Sequence, residues 1–137
     1  KSALWPHMTV AQNVMFGLQR LAKREARERL EYLLACAGLT PLATRYPHEI
    51  SGGEARRVAL IRALAPEPHC LLMDEPLTNL DGALKDALLA LIDRLRRESR
   101  ASLLYVTHDP TEAAALGGQL VRLRAGRVVD AEGDGVP

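Results

Sequence analysis

The sequence predicts an α/β layered domain preceded by a mostly helical segment. Two short apolar runs, Cys70 to Met73 and Leu103 to Val106, each end abruptly in polar residues, as buried strands do. Amphipathic stripes at three- and four-residue spacing precede and separate those runs. Glycine and proline stand at the joins, where helices stop and turns begin.

In chain order, Thr9 caps a helix from Val10 to about Arg20, after an extended segment of Leu4, Trp5, Pro6 and His7. From Lys23 to Ala37 the apolar residues Ala26, Leu30, Leu33, Leu34 and Ala37 form one stripe, and Gly38 stands where a helix C-cap belongs. Tyr46 to Ile50 is an irregular lead-in to Ser51. A helix then runs from Gly52 to Ala65 and stops before Pro66 and Pro68. Cys70 to Met73 reads as a strand buried on both faces, with Cys70 inside it, closed by Asp74 and Glu75. The helix from about Asp81 to Arg97 lines up Leu84, Leu88, Leu91, Ile92 and Leu95. A second buried strand ends in Thr107, His108 and Asp109, and Asp109 with Pro110 starts a short helix. Gln119 to Leu123 and Arg127 to Asp130 turn around Ala125 and Gly126 as a hairpin, and a Gly-rich tail follows Glu132.

Bulk properties narrow the function classes. The chain has 137 residues and is 47% hydrophobic, enough for one compact unit or most of one. Eighteen basic residues nearly cancel seventeen acidic ones, so no global field argues for nucleic acid or an anionic membrane. Cys36 and Cys70 lie far apart and suit a reduced, cytosolic setting. Apolar stretches such as Ala87 to Ile92 fall far short of the ~20 residues a membrane helix needs, so membrane association would go through a partner. The chain starts without Met or a signal-peptide layout and reads as a fragment.

The chemistry sits at strand ends. In open α/β sheets ligands bind outside the carboxyl ends of the strands. Asp74 and Glu75 follow one strand and His108 follows the other, so parallel pairing brings all three to one edge. A carboxylate there can hold Mg²⁺, a neighbouring one can orient or deprotonate water, and an imidazole can contact a terminal phosphate. Taken alone, Asp74 and Glu75 are more often the polar end of a strand entering a turn, and a lone His108 more often a satisfied structural histidine. The second constellation is Ser51, Gly52, Gly53 and Glu54. Two glycines at a helix start leave amides open to a phosphate. Ser51 and Glu54 also fit the spacing of a capping box, which needs no ligand.

Together these motifs resemble the ABC ATPase family, from Ala3 to about Ala131. Ile50, Ser51, Gly52, Gly53 and Glu54 stand as its signature motif LSGGQ, and Arg57 to Leu64 continue as its helix does. Cys70 to Asp74 resembles the Walker B strand, and Glu75 occupies the catalytic glutamate position. Asn79, Leu80 and Asp81 look like the D-loop, and His108 is similar to the switch histidine. The resemblance implies a partial P-loop NTPase (ABC ATPase) three-layer α/β fold with a mainly parallel sheet. It also implies two subdomains: 1–65, helical and ending in the signature helix, and 66–137, RecA-like with Walker B, D-loop and H-loop.

The roles it implies are Asp74 positioning Mg²⁺, Glu75 as general base on water, and His108 on the γ-phosphate of ATP. Ser51, Gly52, Gly53 and Glu54 would press on ATP held by a second nucleotide-binding subunit in a head-to-tail dimer, with Asp81 at the same seam. Leu4 to Val10 resembles the stretch after the Q-loop in importer-type ATPases, so the helical subdomain would meet transmembrane permease subunits. Trp5 and Phe16 are candidates for that contact, although Phe16 equally suits a small helical core. The family setting is cytoplasmic, peripheral on the inner face of the cell membrane, with no nucleic acid expected.

The sequence departs from the family in what it lacks. A P-loop needs Gly-x-x-x-x-Gly-Lys-Ser/Thr, whereas the lysines here are Lys1, Lys23 and Lys85 and none follows glycine. The Q-loop glutamine would fall just before Lys1. The expectation is therefore an energy-coupling ATPase subunit of a bacterial importer, present as a piece that is inactive alone and exposes normally covered surface. Alternatives are a non-catalytic module supplying only the signature half-site, or a soluble ABC ATPase of repair or translation.

Overall fold

The computed structural model describes residues 4–78 and 80–132. Asn79 of the expected D-loop and the Gly-rich tail lie outside the described residues, as do Lys1, Ser2 and Ala3.

The first part is built from locally encoded helices. α1 spans Val10–Met15 and begins in a reciprocal cap: the Gln12 amide donates to the Thr9 hydroxyl, and the Thr9 amide donates to the Gln12 side chain. It tightens into a 3₁₀ turn at Phe16–Leu18 rather than running on to Arg20. Gly17 lies there against the end of the signature-like helix, where a Cβ would come 3.0 Å from the Arg62 carbonyl oxygen. α2 spans Lys23–Cys36 and ends in a Schellman motif, with Gly38 at φ +66, the Leu39 amide donating to the Leu34 carbonyl and the Gly38 amide to the Ala35 carbonyl. α3 spans Gly52–Leu64.

Among the described residues, strands appear only after α3. β1 (Cys70–Asp74), α4 (Gly82–Ser99) and β2 (Ser102–Val106) form a β-α-β unit in which β1 pairs parallel to β2, with Asp74 opposite Val106. α5 (Pro110–Leu116) follows. β3 (Leu120–Arg124) and β4 (Arg127–Glu132) make a separate antiparallel hairpin. Its two-residue turn, Ala125 and Gly126, has positive φ at both positions, as the primed turns of tight hairpins require.

One hydrophobic cluster runs from Val10 and Val14 of α1 through Leu33, Ile61 and Leu64 to Leu88, Ile92 and Leu95 of α4. Leu71 and Met73 point into it. The opposite face of the parallel pair is uncovered: Leu72 is 71% and Leu104 61% exposed, and Val106 and Cys70 are exposed too. The expectation that β1 and β2 are buried on both faces, with Cys70 inside, is corrected here. Successive strand side chains point to opposite faces, and helices of the described residues pack on one face only. No helix among the described residues is long and apolar enough to cross a membrane.

Candidate functional site

The parallel register of β1 and β2 places their polar ends side by side. The Glu75 amide donates to the Val106 carbonyl at 2.9 Å, extending the ladder one residue beyond Asp74. Glu75 then takes φ +44, a left-handed conformation rare for a side chain with a Cβ, and the chain leaves the strand. His108, two residues past the end of β2, puts Nδ1 3.1 Å from Glu75 Oε1. Thr78 bonds back to the same residue, its hydroxyl 3.0 Å from the Glu75 carbonyl oxygen and 3.3 Å from Oε2. Both carboxylate oxygens of Glu75 therefore have neighbours, yet the side chain stays 45% exposed and His108 71% exposed. An ionised carboxylate only accepts, so the proton of this contact would sit on Nδ1 of the imidazole.

Asp74 ends β1 and is exposed. No cluster of three or more His, Cys, Asp or Glu side chains that could hold a metal occurs among the described residues. The rim thus offers one or two carboxylates and no closed cage. This donor set suits Mg²⁺, which keeps several waters and takes phosphate oxygens as further ligands; Asp74 is the residue that would hold it.

Ser51, Gly52, Gly53 and Glu54 start α3 in a completed capping box. The Glu54 amide donates to the Ser51 hydroxyl at 3.3 Å, and the Ser51 amide donates to Glu54 Oε2 at 2.7 Å. That amide, then the Ser51 hydroxyl, hold the Glu54 carboxyl below its ordinary value. The capping reading is thus realised, while Gly52 has open space around it where a side chain would stand. Gly53 differs: a Cβ there would fall 2.7 Å from Leu84 Cδ2. The start of α3 therefore abuts the start of α4, which Asp81 caps by accepting from the Leu84 amide at 3.0 Å. Arg56 ties the same region to the rim, donating to the carbonyls of Pro76 and Thr78 in the loop after Glu75.

Two sets of residues escaped sequence reasoning. Asn13 is fully buried in α1 and donates to the carbonyls of Trp5, Met8 and Thr9 while accepting from the Trp5 amide, which fixes the entry segment. Trp5 then packs on Phe16, with ring centroids 4.4 Å apart, and lies under the Arg62 guanidinium at 4.3 Å. The second set is Lys85, Tyr105, Thr107 and Glu112 around Asp109. Lys85 Nζ bonds Asp109 at 2.6 Å and Glu112 at 2.9 Å, and Glu112 also accepts from Tyr105 and Thr107. Lys85 and then the Thr111 hydroxyl and amide hold the Asp109 carboxyl well below the usual range. Burial pushes Glu112 up, but the bonds from Lys85, Thr107 and Tyr105 outweigh it and the net displacement is downward. The available signal was Glu112 at the third helical position, where a sequence reader assigns acids to the helix's own cap.

A family model described as ABC transporter matches residues 1–78. The chain is 44% identical over 128 residues to the Fe(3+) ions import ATP-binding protein FbpC of Pseudomonas fluorescens (strain Pf0-1), covering 93% of this chain and 36% of that protein. It is 45% identical over 125 residues to the molybdenum import ATP-binding protein ModC of Pseudomonas aeruginosa (strain PAO1), covering 91% of this chain and 35% of that protein. The chain thus spans about a third of the length of the curated relatives it matches. A dimeric structure of a bacterial ABC transporter cassette superposes with a TM-score of 0.80 at 31% identity, over 96% of this chain and 59% of that one. The described β-α-β unit, with its helical segment before it, is a partial P-loop NTPase fold of the ABC ATPase type. With more than half its length matched by the family model and motif residues gathered at strand ends and helix starts, the chain belongs to the ABC transporter family.

Proposed function

We propose that this chain is the signature, Walker B and H-loop portion of the ATP-hydrolysing, energy-coupling subunit of a bacterial ABC importer. The observation that carries the reading is the meeting of Glu75 and His108 at 3.1 Å on the rim of the parallel pair, one residue beyond Asp74. In this reading ATP and Mg²⁺ bind at that rim, Asp74 holding the ion, which supplies charge neutralisation to the phosphates. Glu75 orients the attacking water and accepts its proton. His108, held against Glu75 through Nδ1, contacts the terminal phosphate through its other ring nitrogen.

Ser51, Gly52, Gly53 and Glu54, with Asp81, serve the seam with a second copy. The open surroundings of Gly52 and the neighbouring starts of α3 and α4 support this. Residues 1–65 then form the helical subdomain, with Trp5 and exposed Phe16 as its contact for the transmembrane permease subunits, and 66–137 the RecA-like subdomain. The named relatives are import ATP-binding proteins, which supports a place on the cytoplasmic face of the membrane beside a permease.

In the full-length polypeptide, Glu75→Gln is expected to lower ATP turnover by at least about a hundredfold while ATP-dependent dimerisation persists; a phosphate-release assay beside size-exclusion chromatography reads both. Undiminished turnover removes Glu75 from the role of base. The 137-residue chain alone, which has no Gly-Lys pair, is expected to show no micromolar ATP binding by calorimetry. Micromolar affinity would mean that the phosphates are held without such a loop.

A further inference from the structure

We propose that Lys85 is a positioning residue for His108, acting through Asp109, Glu112 and Thr107; this rests on the reading of His108 as the phosphate-contacting histidine. His108 sits between two residues that share one hydrogen-bond network. On one side, Thr107 donates to Glu112 Oε2 at 2.8 Å and accepts from the Asp109 amide at 3.0 Å, closing over the His108 backbone. On the other, Asp109 accepts from the Thr111 amide at 2.8 Å and its hydroxyl at 2.6 Å, fixing the start of α5. Glu112 is 3% exposed, and its Oε2 takes a second bond from the Tyr105 hydroxyl at 2.8 Å. Lys85 joins the two sides, bonding Asp109 Oδ2 and Glu112 Oε1.

Local propensity gives no reason for a lysine at this position. Lys85 is the fourth residue of α4, and a cation in the first turn opposes the helix dipole. Its ammonium instead neutralises Asp109, the residue next to the histidine, and the buried Glu112, to which Thr107 on the histidine's other side donates. A buried carboxylate without a counter-charge takes up a proton or moves toward water; either change here shifts the His108 backbone, and with it the 3.1 Å approach to Glu75. The His108 ring is exposed and its described contact is with Glu75, so the backbone on which it stands governs whether that contact is reached.

The test uses the full-length polypeptide with ¹⁵N-labelled histidine. A His108→Gln spectrum of that polypeptide identifies the resonances of interest. Lys85→Met and Thr107→Val are expected to move the His108 imidazole signals toward their positions in Glu75→Gln. Lys85→Arg, which keeps the charge and the donors, is expected to restore them. Thr107→Val changes no charge and guards against reading a lost field or a misfolded Lys85→Met protein as lost positioning.

In turnover, Lys85→Met is expected to lower kcat by about tenfold with KM for ATP changed by less than about twofold. The Lys85→Met/His108→Ala pair should be no slower than His108→Ala alone. Unmoved His108 signals in both Lys85→Met and Thr107→Val overturn the inference, and so does a double variant slowed by the product of the two single effects. Moved signals with hydrolysis intact in Glu75→Gln and His108→Ala would instead uphold the positioning and sink the hydrolytic reading.

Discussion

Glu75 shows at the scale of one residue how a site is made at a cost to its own backbone. Its φ of +44 is one that glycine adopts freely and glutamate does not. The conformation is imposed by the amide bond to Val106 and the carbonyl bond from Thr78, which turn the chain off the strand end. Glu75→Gly should therefore raise unfolding stability by about 1 kcal/mol while ending hydrolysis, a trade between strain and function. Urea titration of the full-length protein checks it, and a lowered midpoint would mean that the exposed carboxylate's contacts outweigh the strain. Glu75 was legible as a candidate because a polar residue after an apolar strand is a one-dimensional signal. Its contact with His108, 33 residues away, needed the register.

Among elements, the junction of α4, β2 and α5 is electrostatic, and its pH dependence follows from the signs. Asp109 and Glu112 have folded-state values below their ordinary ones, so their contribution is fully present above the usual carboxylate range and is lost as pH falls through the folded values. Lys85 is raised by Asp109 and then Glu112, so its contribution is present up to the ordinary lysine range and lost as pH rises beyond it. Stability should thus decline below about pH 4 and again above about pH 10. Lys85→Met should flatten the acid limb, which chemical denaturation at stepped pH measures; an acid limb as steep as that of the parent protein would exclude Lys85 as its cause. Helix ends were far more legible than this junction. Thr9, Gly38, Ser51, Asp81 and Asp109 act within five residues of their partners, and each stands at the helix end the sequence indicated. Lys85 and Glu112 are separated by β2 and escaped notice.

Taken as a molecule, the described residues share one core although they divide by content into helices first and strands later. Ile61 of α3 and Ile92 of α4 are both fully buried in the same cluster. Either residue changed to alanine should cost about 2–5 kcal/mol, and both should shift one common unfolding transition rather than two. Calorimetry of the full-length protein decides this; separate shifts of two resolved transitions would mean that the helical and α/β parts unfold independently. The uncovered face of β1 and β2, with Leu72 and Leu104 outward, belongs to the same scale. Both runs read as doubly buried because apolar composition reports how hydrophobic a strand is, and says nothing of which layers are present to cover it.

By itself the sequence determined most helix ends and their caps, the order of the strands, the hairpin turn at Ala125 and Gly126, and the family, while α1 stops at Met15 and a 3₁₀ turn follows it short of the expected Arg20. These depend on periodicity and on bonds between near neighbours, which a linear string preserves. Only the tertiary structure decided that Glu75 and His108 touch, that Gly53 abuts Leu84, that Lys85 joins Asp109 to Glu112, and which face of the parallel pair is covered. Each of those is a meeting of side chains remote in sequence, fixed by strand register and helix packing, and no local preference encodes it.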